Sequence, residues 1–346
     1  MKAFVLEGIG NLKYKSICIP KLKKGEALVK VKVAGICGSD IPRIFKTGTY
    51  NFPTIPGHEF SGIVSAVHED DDKAWVGKRV SVFPLIPCKK CSECKKENYE
   101  MCENYNYTGS RTDGGFAEYV KVPIWNLIDI GNKISFENAA MLEPTCVALH
   151  ALRKVDIKKH NTIAVYGTGT IGILIIQWLK AYGVNDVVAI GTNDNQKNMI
   201  QNIMDVKFYN INDFVSQKEF LATMIDKNIS LLYECVGNND TINNSIYMIQ
   251  PGGELVFIGN PDGNILFEKE VYWKILRKQL RLYGVWNSSF INNRNDDWNT
   301  AIKFISEGRI NPSLQITHKL EFEQLFEALD IMRNKDIFSN KVIINN

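Results

Sequence analysis

Hydrophobic and polar residues alternate through the first third of the chain. Over residues 28–33, Val29, Val31 and Val33 fall on one face and Lys30 and Lys32 on the other, the two-residue period of a half-buried strand. Residues 62–67 and 78–83 read as further strands, separated by Gly, Pro and acidic turn signals. The pattern changes after about Phe136. Residues 162–166 form a short apolar run that leads into a glycine turn. Beyond it Ile171, Leu174, Ile175, Trp178 and Leu179 recur at helical spacing, and Gly183 suits the C-terminal cap. Residues 186–190, 231–236 and 254–259 read as buried strands with helical or loop segments between them. Strands alternating with helices imply a doubly wound parallel sheet. After Trp286 the chain turns polar and helical, and it ends in the strand-like run 341–344. The expectation is an α/β protein with a separate β-rich domain whose conspicuous side chains lie in loops.

A length of 346 residues exceeds one comfortable core, so two domains are expected. With 45% hydrophobic and 23% charged residues, extended disorder is excluded. A net charge of +3 is too slight to mark a nucleic-acid binder. The uncharged stretch 161–179 is long enough to span a bilayer, but Gly167, Gly169, Gly172 and Gln177 interrupt it, and no membrane segment is expected. Residues 1–6 are apolar, yet Glu7 ends the run and no small-residue cleavage site follows, so the expected location is cytoplasmic.

The turn from Gly167 through Gly169, Thr170 and Ile171 to Gly172 fits G-x-G-x-x-G, after an expected strand and before an expected helix. In that setting Gly167 permits the tight turn and Gly169 lets backbone amides approach a pyrophosphate. Gly172 allows the helix to pack close to the sheet. An acidic residue about twenty positions on would bind the ribose 2′-hydroxyl of NAD. Here that position is Gly191, followed by Thr192 and Asn193, with Lys197 nearby. No carboxylate repels a 2′-phosphate and no arginine stands ready to bind one, which leaves NAD and NADP both open.

Cys88, Cys91, Cys94 and Cys102 follow C-x2-C-x2-C-x7-C spacing. Four thiolates suit a closed, structural Zn²⁺ site, with an iron–sulfur cluster or disulfides as alternatives. Lys89, Lys90, Lys95 and Lys96 make the lobe basic, but it lacks the paired histidines and interleaved aromatics of a nucleic-acid finger. A second, mixed set combines Cys37, His58 and Glu143, with Glu59 as a transient or outer partner. Three ligands leave a position open on zinc, which is a catalytic arrangement able to acidify a bound alcohol. Ser39 is then a proton relay and Asp40 an orienting partner for His58. His68, His150, His160 and His318, and Cys18, Cys146 and Cys235, are read as structural.

Taken in order, the segments 37–40, 57–62, the four cysteines, 113–119, Glu143-Pro144 and the glycine turn resemble the zinc-dependent medium-chain alcohol and polyol dehydrogenases over essentially the whole chain. The resemblance implies a GroES-like catalytic domain from residues 1–145 and 288–346, and a Rossmann domain over residues 146–287. It also implies one catalytic and one structural zinc, a nicotinamide cofactor, and a homodimer or homotetramer joined through the Rossmann sheet near residues 282–286. Glu143 matches the family's fourth ligand at the catalytic zinc. Segments 41–46, 109–115 and 274–278 bring the likeness nearest to the dehydrogenases of galactitol 1-phosphate, which implies a polyol-phosphate substrate. Arg43, Lys46 and Arg111 are then phosphate candidates, with Trp286 and Asn287 as further substrate contacts. Two other readings are an unphosphorylated, sorbitol-type polyol dehydrogenase and a zinc-finger nucleic-acid binder with a ligand-sensing Rossmann domain.

Overall fold

The protein is described by a computed structural model covering residues 1–261, 263–293 and 295–346. It divides into two compact units, Met1–Cys146 with Ser289–Asn346, and Val147–Ser288. In chain order the first unit contributes β1 (Lys2–Leu6), β2 (Leu12–Ser16), β3 (Glu26–Ile36), β4 (Glu59–Val67), β5 (Arg79–Val82), β6 (Leu85–Ile86), β7 (Asn106–Tyr107), β8 (Tyr119–Pro123) and β9 (Leu127–Asp129). The second contributes β10 (Ile163–Tyr166), β11 (Val187–Gly191), β12 (Lys207–Asn210), β13 (Ile229–Glu234), β14 (Ile249–Phe257) and β15 (Arg281–Gly284). The chain then returns to the first unit with β16 (Ile316–Glu321) and β17 (Lys341–Asn345).

The alternating run predicted at residues 28–33 lies inside β3, the strand around which the first unit is organised. Its sheet runs β16-β17-β3-β4-β5-β9, with β8 also paired to β3. Val29, Val31, Phe60, Val64, Val80, Val120, Val342 and Ile344 form part of one buried cluster on this sheet. The returning β17 pairs antiparallel with β3, placing Val342 opposite Ile36 and Asn345 opposite Val33. The sequence pattern missed β16, whose Ile-Thr-His-Lys-Leu-Glu residues are mostly half-buried or exposed and so carry no apolar run. Cys18, read as a core residue, is exposed in the segment after β2. Cys146 is buried, as expected.

The second unit has the strand order β12-β11-β10-β13-β14-β15, and all pairings in it are parallel. This is the doubly wound order, with its switch between β10 and β13. The helix Thr170–Ala181 buries every residue from Gly172 to Leu179, and that all-round burial explains its uncharged sequence without a membrane. Among the described residues no helix is long and apolar enough to cross a membrane. At the β15 edge, Leu282 is exposed, as are Tyr272, Trp273 and Leu276 on the helix Lys269–Lys278. Lys278 Nζ donates to the carbonyls of Ile246, Tyr247 and Ile249, which closes the C-terminal end of the helix Asn239–Met248.

Candidate active site

Two groups of metal-ligating side chains converge in the first unit. The sulfurs of Cys88, Cys91, Cys94 and Cys102 all lie within 4.8 Å of one another. None is disulfide-bonded. The turn after Cys88 points the N–H groups of Lys90 and Cys91 at its sulfur, at 3.5 and 3.4 Å, and these bonds lower its pKa to about 6. Burial instead pushes the Cys94 thiol up to about 12. A cation among the four sulfurs removes that conflict, because coordination holds every thiol deprotonated. The donor set therefore fits a structural Zn²⁺. Lys90, Lys95 and Lys96 are exposed around it, Lys96 paired to Glu93.

The second group is Cys37, His58 and Glu59, whose ligand atoms also lie within 4.8 Å of one another. Strand β3 delivers Cys37 just past its end, and β4 begins with Glu59 directly after His58. Register places Glu59 opposite Gly35, where a Cβ would lie 2.6 Å from Glu59 Oε2, so any side chain there would displace this carboxylate. Asp40 is fully buried and links the group together. Its carboxylate accepts from Cys37 N at 3.0 Å and from Arg43 Nη1 at 2.7 Å, and lies 3.5 Å from His58 Nδ1. Burial opposes its ionisation, but His58, Arg43 and the Cys37 N–H outweigh that and hold its pKa below the usual range. Burial likewise opposes a charge on His58, yet Asp40 and Cys37 raise its pKa well above the ordinary histidine value. His58 Nδ1 is buried without a hydrogen-bond partner. One thiolate, one imidazole and one carboxylate within reach of one another fit zinc with an open position.

Lys341, at the start of β17, was not anticipated. Its buried Nζ donates to Glu59 Oε2 at 2.5 Å and to the carbonyl of Ile36 at 3.2 Å. The signal for it was a lone lysine opening an otherwise apolar strand. In the metal-free protein Lys341→Met is expected to cost about 3–5 kcal/mol, since it leaves the buried Glu59 carboxylate without a cation, with partial recovery in Lys341→Arg. Denaturant unfolding of the two variants checks this, and an unchanged midpoint for Lys341→Met would remove the ion pair from the site's framework.

Glu143 stands beside the three-residue group rather than within it. It lies in the first turn of the helix Leu142–Leu152, a helix the sequence reading had not placed. Burial raises its carboxyl to about 7, with His58 opposing and Glu59 reinforcing the rise. Tyr107, also unanticipated, donates to Glu143 at 3.4 Å and meets the His58 ring edge-on at 5.8 Å. The Ser39 hydroxyl donates to Cys37 Sγ at 3.2 Å. Among the phosphate candidates, Arg43 is engaged by Asp40 and Lys46 is exposed. Arg111 lies between the rings of Tyr50 and Tyr105, 4.2 Å from each centroid, and donates to the Tyr105 carbonyl at 2.8 Å. Trp286 and Asn287 belong to the second unit, where Trp286 is exposed and Asn287 buried.

In the second unit the glycine turn follows β10 and opens the helix Thr170–Ala181. A Cβ on Gly172 would lie 1.9 Å from the Gly167 carbonyl oxygen, whereas nothing lies within 4 Å of one on Gly169. The turn is thus closed against its own helix and open at Gly169, a cradle that fits a pyrophosphate. At Gly191 a Cβ would meet Thr168 Oγ1 at 2.4 Å, Phe208 at 2.7 Å and Gln196 Oε1 at 3.1 Å. Gln196, which accepts from the Thr168 hydroxyl at 2.8 Å, lies against Gly191 and was not foreseen. Asn193 caps the helix Asp194–Ile203, Thr192 is exposed and Lys197 is half-buried.

Residues 23–132 match the alcohol dehydrogenase GroES-like domain, and residues 170–307 match the zinc-binding dehydrogenase domain. Galactitol 1-phosphate 5-dehydrogenase of Escherichia coli is 32% identical over 96% of this chain and 97% of its own. The chain is a zinc-dependent medium-chain dehydrogenase. Sorbitol dehydrogenase of Bacillus subtilis is 25% identical over 95% of this chain and 93% of its own. The crystal structure of the Escherichia coli galactitol-1-phosphate dehydrogenase covers all of both chains with a TM-score of 0.90 at 30% identity. Two further dehydrogenase structures cover all of this chain and 99% of their own. One, from E. coli CFT073, is complexed with NADH (27% identity, TM-score 0.88), and one from Sinorhizobium meliloti is bound to NADP (25%, 0.89). As a member of this family the protein is an oxidoreductase that takes zinc and a nicotinamide dinucleotide.

Proposed function

We propose that this dehydrogenase interconverts a polyol phosphate and its keto form, with galactitol 1-phosphate and tagatose 6-phosphate as the pair. Support comes from the full-length similarity to the E. coli enzyme of that activity. The observation that carries the phosphate preference is Arg111, whose guanidinium is held 4.2 Å from each of two tyrosine rings before any ligand arrives. A fork already ordered loses little freedom on binding a phosphate. Arg43 acts indirectly, by holding Asp40 against His58, and Lys46 adds positive charge nearby in sequence.

Cys37 and His58 would hold the catalytic zinc, with Glu59 and Glu143 as the carboxylates able to complete the site. When bound, zinc supplies the charge that acidifies a substrate hydroxyl, and nicotinamide accepts the hydride. Asp40 fixes the His58 ring, and Ser39 carries the released proton outward from its half-buried place beside Cys37. Gly167, Gly169, Thr170, Ile171 and Gly172 hold the pyrophosphate. Gly191, Thr192, Asn193 and Lys197 are the candidates for the adenosine ribose, where no carboxylate opposes a 2′-phosphate and no arginine attracts one, so the choice between NADH and NADPH is left to the assay below.

The test compares kcat/KM for tagatose 6-phosphate and free tagatose, with NADH and NADPH in parallel. The phosphate is expected to be favoured by about tenfold or more, a preference lost in Arg111→Ala. Equal rates for the two sugars would move the enzyme to the sorbitol-type group and Arg111 to a role in loop packing.

A further inference from the structure

Glu234 ends β13 with its side chain fully buried. It sits in register beside Tyr166, the residue before the glycine turn. Its carboxylate accepts the N–H of Val236 at 2.9 Å, the N–H of Gly237 at 3.0 and 3.2 Å, and the Thr241 hydroxyl at 2.8 Å. Its own carbonyl accepts from Ile258 and Gly259. The loop clamped in this way presses on the glycine turn, for a Cβ on Gly167 would lie 2.5 Å from Val236 Cγ2.

The clamp alone does not require a charge. One oxygen, Oε1, takes three of the four bonds from these three donors, so a glutamine would lose only the 3.2 Å bond from Gly237. Among the described residues no lysine, arginine or histidine pairs with Glu234, and an unpaired buried carboxylate is costly to keep. Its position suggests what the charge serves. The half of the sheet carrying the glycine turn and the β11 end takes the adenosine side of a dinucleotide, so the nicotinamide side falls to the half that begins at β13. The oxidised nicotinamide ring is a cation and the reduced ring is neutral.

We infer that Glu234 supplies a fixed negative charge that favours the oxidised over the reduced dinucleotide in this site. The inference rests on the dinucleotide assignment of the second unit. Kd values for NAD⁺, NADH, NADP⁺ and NADPH, measured by calorimetry on the zinc-loaded protein, test it in Glu234→Gln and Thr241→Val. Glu234→Gln is expected to weaken the oxidised forms by about fivefold or more relative to the reduced forms. Thr241→Val, which removes a donor and keeps the charge, should move both forms by one common factor. An unchanged oxidised-to-reduced ratio in Glu234→Gln would overturn the inference. So would failure of that variant to fold, because the amide retains the main acceptor and the residue would then serve the fold. If the unaltered protein bound none of the four dinucleotides, the assignment of the second unit itself would fall.

Discussion

Cys37→Ser is expected to lower turnover by about 10³-fold or more and to leave the fold intact. Cys37 Sγ is the only sulfur in a group completed by His58 and Glu59. A serine hydroxyl is a poor ligand for zinc at neutral pH, whereas a thiolate is a strong one. Cys37 is half-buried and follows the end of β3, so losing its sulfur opens no large cavity. Asp40 still accepts the backbone N–H of residue 37, and the loop keeps its shape. Zinc content measured by mass spectrometry should fall from two ions per chain to one, with dinucleotide affinity unchanged. Retention of two ions and of turnover would show that the metal assignments are wrong.

The second large effect falls on the four-cysteine lobe. Cys94→Ser breaks a buried corner of the sulfur cluster, with Cys94 and Cys102 both nearly inaccessible to solvent. Structural zinc sites contribute on the order of 10 kcal/mol to local folding. The lobe is joined to its own unit by aromatic contacts. Tyr99 meets Trp125 edge-on at 5.1 Å, and Trp125 meets Phe290 at the same separation. Loss of the metal should therefore free Trp125, shift its fluorescence to the red and lower the unfolding midpoint by about 10 °C or more. Proteolysis should become preferential within residues 88–105. An unchanged midpoint after both substitution and chelation would reduce the lobe to an ornament of the surface.

The parts of this protein legible in its sequence are those whose chemistry repeats a local rule. The glycine turn announces itself because strand, turn and helix succeed one another within a few residues. The four cysteines do so because their spacing alone brings sulfurs together. Strands β3 and β10 were visible through alternation and through a continuous apolar run, respectively. What stayed hidden depends on contacts between distant segments. Lys341 has meaning only because β17 pairs with β3 and brings its ammonium group to Glu59. Gln196 gains its place only when its helix folds back over Gly191. Tyr107 sits on a two-residue strand too short to leave a pattern. Glu143 was recognised as a residue but not as part of a helix, since its proline neighbour reads as a loop signal when it in fact occupies a first helical turn.

The order in which the chain leaves the ribosome bears on how this protein becomes competent. Lys341 lies 282 positions downstream of Glu59, with the whole of the second unit between them. The second unit is contiguous and can collapse while translation continues. The first unit cannot, because its sheet seats β17 beside β3. Until that strand arrives, β3 shows an open edge and Glu59 lies without its cation. A nascent chain therefore holds this pocket without its lysine until the residues beyond the second unit have been made.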